Sequence, residues 1–189
     1  ALLRAQAGVR HDEVQDGALL AMMAGRVMAE APAETGPTGE RYRIVLEHCP
    51  ECGAPRVGGM SCWEMLGAII AWEYHDPELL AEHFLTVASY NLQHPAQFTE
   101  AALAALRTVF LERLDHGLGI AEIRRRVGKT AAGATRVRKP EPERQPMLRQ
   151  WSMTIAEVYL PDQPERAVER VRAWATAIRR GMESPEPPA

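Results

Sequence analysis

Cysteine is scarce in this sequence, and its number is odd: three residues in 189. So small and odd a set disfavours a disulfide framework and suits a reducing compartment. No apolar run approaches the ~20 residues that a membrane-spanning helix needs. The first residues lack a charged head followed by a long apolar stretch, so no secretory leader is read there. A formal net charge of −3 is too small for the whole molecule to be a generic polyanion binder. G-x-S-x-G and the P-loop are both missing, which removes two common signatures of hydrolytic and nucleotide chemistry. No internal repeat is visible. What remains is a chain expected to be cytoplasmic and off the membrane, long enough for one real core and an appendage.

The chemistry is concentrated between Cys49 and Pro95. All three cysteines fall there, and His48, His75, His83 and His94, four of the six histidines, lie in the stretch or border it. Cys49 and Cys52 form a C-x-x-C turn within CPECG, and Cys62 follows ten residues after Cys52. Zinc takes four thiolate or imidazole ligands in a tetrahedron, and such a turn supplies two of them. The fourth follows from helix geometry. Ser61 and Glu64 form a capping box that opens a helix reaching about Tyr74. Asp76-Pro77 opens a second one that reaches about Gln93, where Pro95 stops it. The short link makes the two an antiparallel hairpin. Cys62 to Glu73 spans roughly 16 Å, and so does His83 to His94. His94 is therefore level with Cys62, and Glu73 with His83. The ligand set read here is Cys49, Cys52, Cys62 and His94 for Zn2+, with His48, adjacent to the turn, competing for the fourth place.

Around this stretch the pattern is mostly helical. Residues 1–31 carry apolar residues at three- and four-residue steps. Ala31–Glu40 is a proline- and glycine-containing linker. Arg41–Glu47 alternates like a half-buried strand, which needs an edge from Arg56–Met60 or from a second subunit. A helix is expected from about Thr99 to His116, ended by Gly117, and a short one at Ile120–Val127. Residues 128–150 read as a flexible basic loop. Thr154/Glu157 and Asp162/Glu165 are two further capping boxes, the second opening a last helix that carries Val168, Val171, Trp174 and Ile178.

Two more features carry possible chemistry. His83, Thr86, Tyr90 and His94 share one face of the second hairpin helix, and Glu73 approaches His83. A carboxylate beside an imidazole is an acid–base pair, half of a second metal site, or a hydrogen-bond network that orients the zinc ligand. Glu73, His83 and Tyr90 are the catalytic candidates. Between Arg124 and Arg144 stand eight Lys or Arg (Arg124, Arg125, Arg126, Lys129, Arg136, Arg138, Lys139, Arg144) against Glu141 and Glu143. Such a segment can hold nucleic-acid phosphates, but it has no aromatic residue to stack on bases.

CPECGA at 49–54, Cys62-Trp63, Glu73, and HFLTVASYNLQHP at 83–95 together resemble an uncharacterised bacterial family, a domain of unknown function. Its pattern is CPxCGA, a later Cys-Trp, an acidic residue, then H-x-x-T-V-x-x-Y-x-x-QHP. TIAEV at 154–158 and VRAWA at 171–175 continue the likeness, which covers about 49–182. The gap between CPECGA and Cys62 is shorter here than in that pattern. The resemblance implies a metal-binding helical domain and no known activity.

The expected fold is mainly α: a helical bundle with a small zinc knuckle and a short β-hairpin or single strand at its head. The expected organisation is a helix and linker over 1–40, a zinc-knuckle and helical domain over 41–182 that includes the 128–150 loop, and a disordered tail over 183–189. Three functions compete: a zinc-stabilised interaction or regulatory module, a metal-dependent hydrolase using Glu73 and His83, and a nucleic-acid-associated protein acting through 124–144. The unpaired strand and apolar first helix point to a homodimer.

Overall fold

The computed structural model describes residues 34–35, 41–42, 46–132 and 136–183. The chain divides into two units, Ala1–Arg43 and Ile44–Ala189. In the first, β1 (Glu34–Thr35) pairs antiparallel with β2 (Arg41–Tyr42), Glu34 opposite Tyr42 and Thr35 opposite Arg41. Arg41 and Tyr42 thus find their edge in Glu34–Thr35. The helix expected over 1–31 lies outside the described residues. The hairpin expected at the head of the knuckle is not shown; around it there are single bridges, His48 to Pro55 and Val57 to Met60.

The second unit is mainly helical, and several of its helices start where side chains cap them. Helix α1 (Cys62–Glu73) opens on Ser61, whose N–H donates to the Glu64 carboxylate at 2.7 Å while its hydroxyl accepts from the Glu64 N–H. Two orphan donors of the first turn are met in this way. Helix α2 (Pro77–Ala81) opens on Asp76, whose Oδ1 accepts from Glu78 and Leu79 N–H at 2.9 and 3.1 Å.

The sequence predicts α2 running unbroken to Gln93, and here the structure differs. The helix is interrupted at Glu82, where φ is −98° and ψ 6°, and resumes as α3 (His83–Gln93). The interruption goes with the side chain. Glu82 is 5% exposed, and its carboxylate meets Arg172 at 2.6 Å and Arg113 at 3.2 Å. A carboxylate taken out of water needs such partners. Glu82→Ala is expected to cost about 2 kcal/mol, since it strips a half-buried Arg113 of its anion while Arg172 stays largely solvated. Urea unfolding of the variant measures this.

Helix α3 is central: every residue from Phe84 to Gln93 is buried. Against it pack α1, α4 (Glu100–His116) and α7 (Ala167–Glu183). Thr99 caps α4 through Ala102 N–H, and Gly117 ends it at φ 63°, a left-handed position that favours glycine. Leu103, Leu106, Val109 and Phe110 are buried along α4, and Leu114 is half-buried. Helix α5 (Ile120–Ala132) runs past Val127 and buries Ile123 and Val127. Within the expected loop, residues 136–139 lie along 97–99: Thr99 N–H donates to Val137 O at 3.0 Å, and Lys139 N–H to Gln97 O at 2.9 Å.

Thr154 and Glu157 form their box and open α6 (Ile155–Val158). The box read at Asp162/Glu165 does not form. Gln163 takes the cap position without a side-chain bond, and Pro164 begins a 3₁₀ turn, Pro164–Arg166, that leads into α7. Proline at a first helical position needs no capped N–H, so the turn starts without the box. Val168, Val171, Trp174 and Ile178 of α7 face the core. The Trp174 indole N–H donates to Gln93 Oε1 at 3.2 Å, and Gln93 Nε2 donates to Met153 O at 2.8 Å. No described helix is long and apolar enough to cross a membrane.

Candidate metal centre

The CPECG turn closes on itself. Cys49 N–H donates to Ala54 O at 2.9 Å, and Gly53 N–H to Cys49 O at 3.0 Å. Gly53 sits at φ 73°, where a Cβ would be strained. Cys62 is the first residue of α1, and His94 follows the last residue of α3. Because α1 and α3 run antiparallel, those two ends meet. The ligand atoms of Cys49, Cys52, Cys62 and His94 all lie within 4.8 Å of one another. His94 Nε2 is 3.4 Å from Cys49 Sγ and 3.3 Å from Cys62 Sγ. Tetrahedral zinc, with Zn–S ~2.3 Å and Zn–N ~2.0 Å, needs sulfur–nitrogen gaps of ~3.5 Å and sulfur–sulfur gaps of ~3.8 Å. The donor set fits.

The imidazole is already oriented. His94 Nδ1 faces Tyr90 O at 2.6 Å. A carbonyl only accepts, so Nδ1 carries a proton and Nε2 is the ring atom turned to the sulfurs. The Tyr90 ring stacks on His94 at 3.9 Å between centroids, and Trp63 tilts against Tyr90 at 5.9 Å.

Electrostatics point the same way. Hydrogen bonds from Cys52 and Cys62 hold the Cys49 thiol far below its ordinary range, and the bonds of Cys52 to Cys49 and Cys62, with burial, drive the Cys52 thiol up. Three thiols this close do not all ionise without a neighbouring cation. Burial pulls His94 down, but its bonds to Cys49 and Cys62 and the charge on those sulfurs outweigh this and push it up to about 10. The set gathers positive charge, which a dication could supply in place of protons. Burial, reinforced by the charges of Cys62 and Cys49, raises the Tyr90 phenol. Tyr90 therefore keeps its proton at neutral pH.

The polar stripe divides into two parts. His94 belongs to the cysteine cluster, and Tyr90 stacks on it. His83 and Glu73 meet apart from that cluster, His83 Nδ1 against Glu73 Oε2. Glu73 is 2% exposed, and its Oε1 has no partner. Buried Thr86 bonds back to Glu82 O at 3.4 Å. His48 is exposed and stands outside the four-residue set. In the basic segment, Arg125 and Arg126 pair with Glu122, Arg126 also with Glu112, and Lys139 with Glu100. Sequence reasoning missed Glu82, and also Glu51, whose Oε2 accepts from Ala96 N–H at 3.0 Å. The signal for Glu82 was an acidic residue inside an apolar helix face. Glu51 gave none beyond its place between two cysteines.

No curated protein and no solved structure matches the chain. Residues 47–183 match the model of a family of unknown function, DUF5946.

Proposed function

We propose that this chain, which belongs to family DUF5946 over residues 47–183, is a zinc-stabilised helical interaction or regulatory module. Cys49, Cys52, Cys62 and His94 would hold one Zn2+, which binds and cross-links the knuckle and the two hairpin ends. The observation that carries this reading is the convergence of three sulfurs and one oriented imidazole within 4.8 Å. Three thiolates and an imidazole fill a tetrahedron and leave no place for a water or substrate, the arrangement of structural zinc rather than catalytic zinc. Metal binding then stabilises the fold by linkage. Pairing of two copies and a protein partner belong to the same proposal.

A second reading, a metal-dependent hydrolase using Glu73 and His83, is favoured by one observation. The buried Oε1 of Glu73 lacks a partner while Oε2 orients His83. Groups left so are met by water or by a ligand. One experiment separates the two: metal content per chain by elemental analysis of reduced protein, for wild type and for a Glu73→Ala, His83→Ala double variant. One zinc in both is expected. Two metals falling to one would move the function to Glu73 and His83. No metal in fresh wild type would overturn the zinc reading.

A further inference from the structure

We propose that Glu51 is the positioning residue that docks the knuckle on the hairpin and so sets the distance between the two halves of the ligand set. The inference rests on the zinc reading above. Cys62 and His94 are fixed by the packing of α1 and α3, but Cys49 and Cys52 reach them only through residues 53–61. That connection contains Gly58 and Gly59 at φ 59° and 80°, with open space around both. Val57 and Met60 bridge across that turn, but among the described residues the turn itself makes no bond to the His94 end of the hairpin, and Glu51 does.

Glu51 lies between the two knuckle cysteines and reaches across. Its Oε2 accepts from Ala96 N–H at 3.0 Å, two residues past His94. The reason is local. His94 holds the cap position of the 3₁₀ turn Pro95–Gln97 and makes no side-chain cap bond. Its ring is committed to Tyr90 O and the sulfurs. Pro95 has no N–H, so Ala96 carries the first donor that needs an acceptor. A ligand cannot also cap its own turn, and the knuckle supplies the acceptor instead. On its other side the Glu51 carbonyl accepts from Arg149 N–H at 2.9 Å. Arg149 is itself anchored, donating to Gly181 O at 2.7 Å and lying 4.6 Å over the Trp151 ring. Glu51 is thus held from both sides, with a cysteine ligand at each end of its turn.

A bond that merely strengthens the fold would stabilise the protein with or without metal. A positioning bond acts on metal affinity. The test is the zinc Kd of the reduced full chain, by competition with a chromophoric chelator, for wild type, Glu51→Ala, Glu51→Gln and Glu51→Asp, with Co2+ spectra of each. Glu51→Ala is expected to bind zinc about 10- to 100-fold more weakly. Glu51→Gln keeps an oxygen that accepts from Ala96 and should stay within about threefold of wild type. Glu51→Asp keeps the charge but falls short of Ala96, and should lose affinity with Glu51→Ala. The tetrahedral Co2+ bands should persist throughout, since no ligand is removed. Urea midpoints should fall less with chelator than with zinc saturated. Wild-type affinity in Glu51→Ala and Glu51→Asp would overturn the proposal and leave the zinc reading standing. So would Glu51→Gln falling as far as Glu51→Ala, or equal destabilisation of the chelated proteins. If Glu51→Ala does not fold, Glu51→Asp decides. A wild type without zinc overturns both readings.

Discussion

Cys62→Ser is expected to release the zinc and lower the melting temperature by roughly 10 °C or more. Cys62 gives its sulfur from the first turn of α1, 3.3 Å from His94 Nε2. A serine hydroxyl there leaves two thiolates and one imidazole, an incomplete tetrahedron. At zinc a thousandfold above Kd, the metal contributes about 4 kcal/mol by mass action. For a domain of this size that corresponds to about 10–15 °C. The measurement is a melt of wild type and variant, each with and without chelator. Chelated wild type and the variant in either condition should melt together. A variant that keeps one zinc per chain, or a wild type indifferent to chelator, contradicts the assignment.

Trp174→Ala is expected to cost about 4–8 kcal/mol, enough to leave little folded protein. The side chain is fully buried in the centre of α7. Truncating a buried tryptophan costs about 3–5 kcal/mol in lost packing and residual cavity. The same change takes the indole donor from Gln93 Oε1, which is itself buried. An orphaned buried acceptor adds about 1–3 kcal/mol. Trp174→Phe separates the two terms: it restores most of the volume but not the donor, and should lose about 2 kcal/mol. Urea unfolding with zinc saturated reads both. A phenylalanine variant as stable as wild type would show that the Gln93 bond contributes nothing.

The legible part of the fold was what short-range chemistry decides. Ser61 with Glu64, Asp76 with Pro77, and Thr154 with Glu157 are local devices, and each forms as its spacing requires. The meeting of Cys62 with His94, and of Glu73 with His83, followed from the rise of two antiparallel helices, because equal lengths put equal positions level. What was not legible depends on distant partners. The interruption at Glu82 goes with Arg113 and Arg172, 31 and 90 residues away, and no local pattern names them. Asp162/Glu165 fits the capping pattern but loses to Pro164, which takes the turn first. Residues 136–139 read as loop because their hydrogen bonds go to 97–99 rather than to near neighbours.

The Gln93 fork has a consequence for the order of events on the ribosome. Its two bonds reach 60 and 81 residues forward, to Met153 and Trp174. The ligand set, by contrast, is complete once His94 has emerged. During synthesis, ligands and hairpin are therefore present while the centre of the core is still missing its tryptophan. Loop closure over such separations is slow compared with local pairing. A hairpin clasped by a metal at that set would be a compact template, already in register when the last helix arrives.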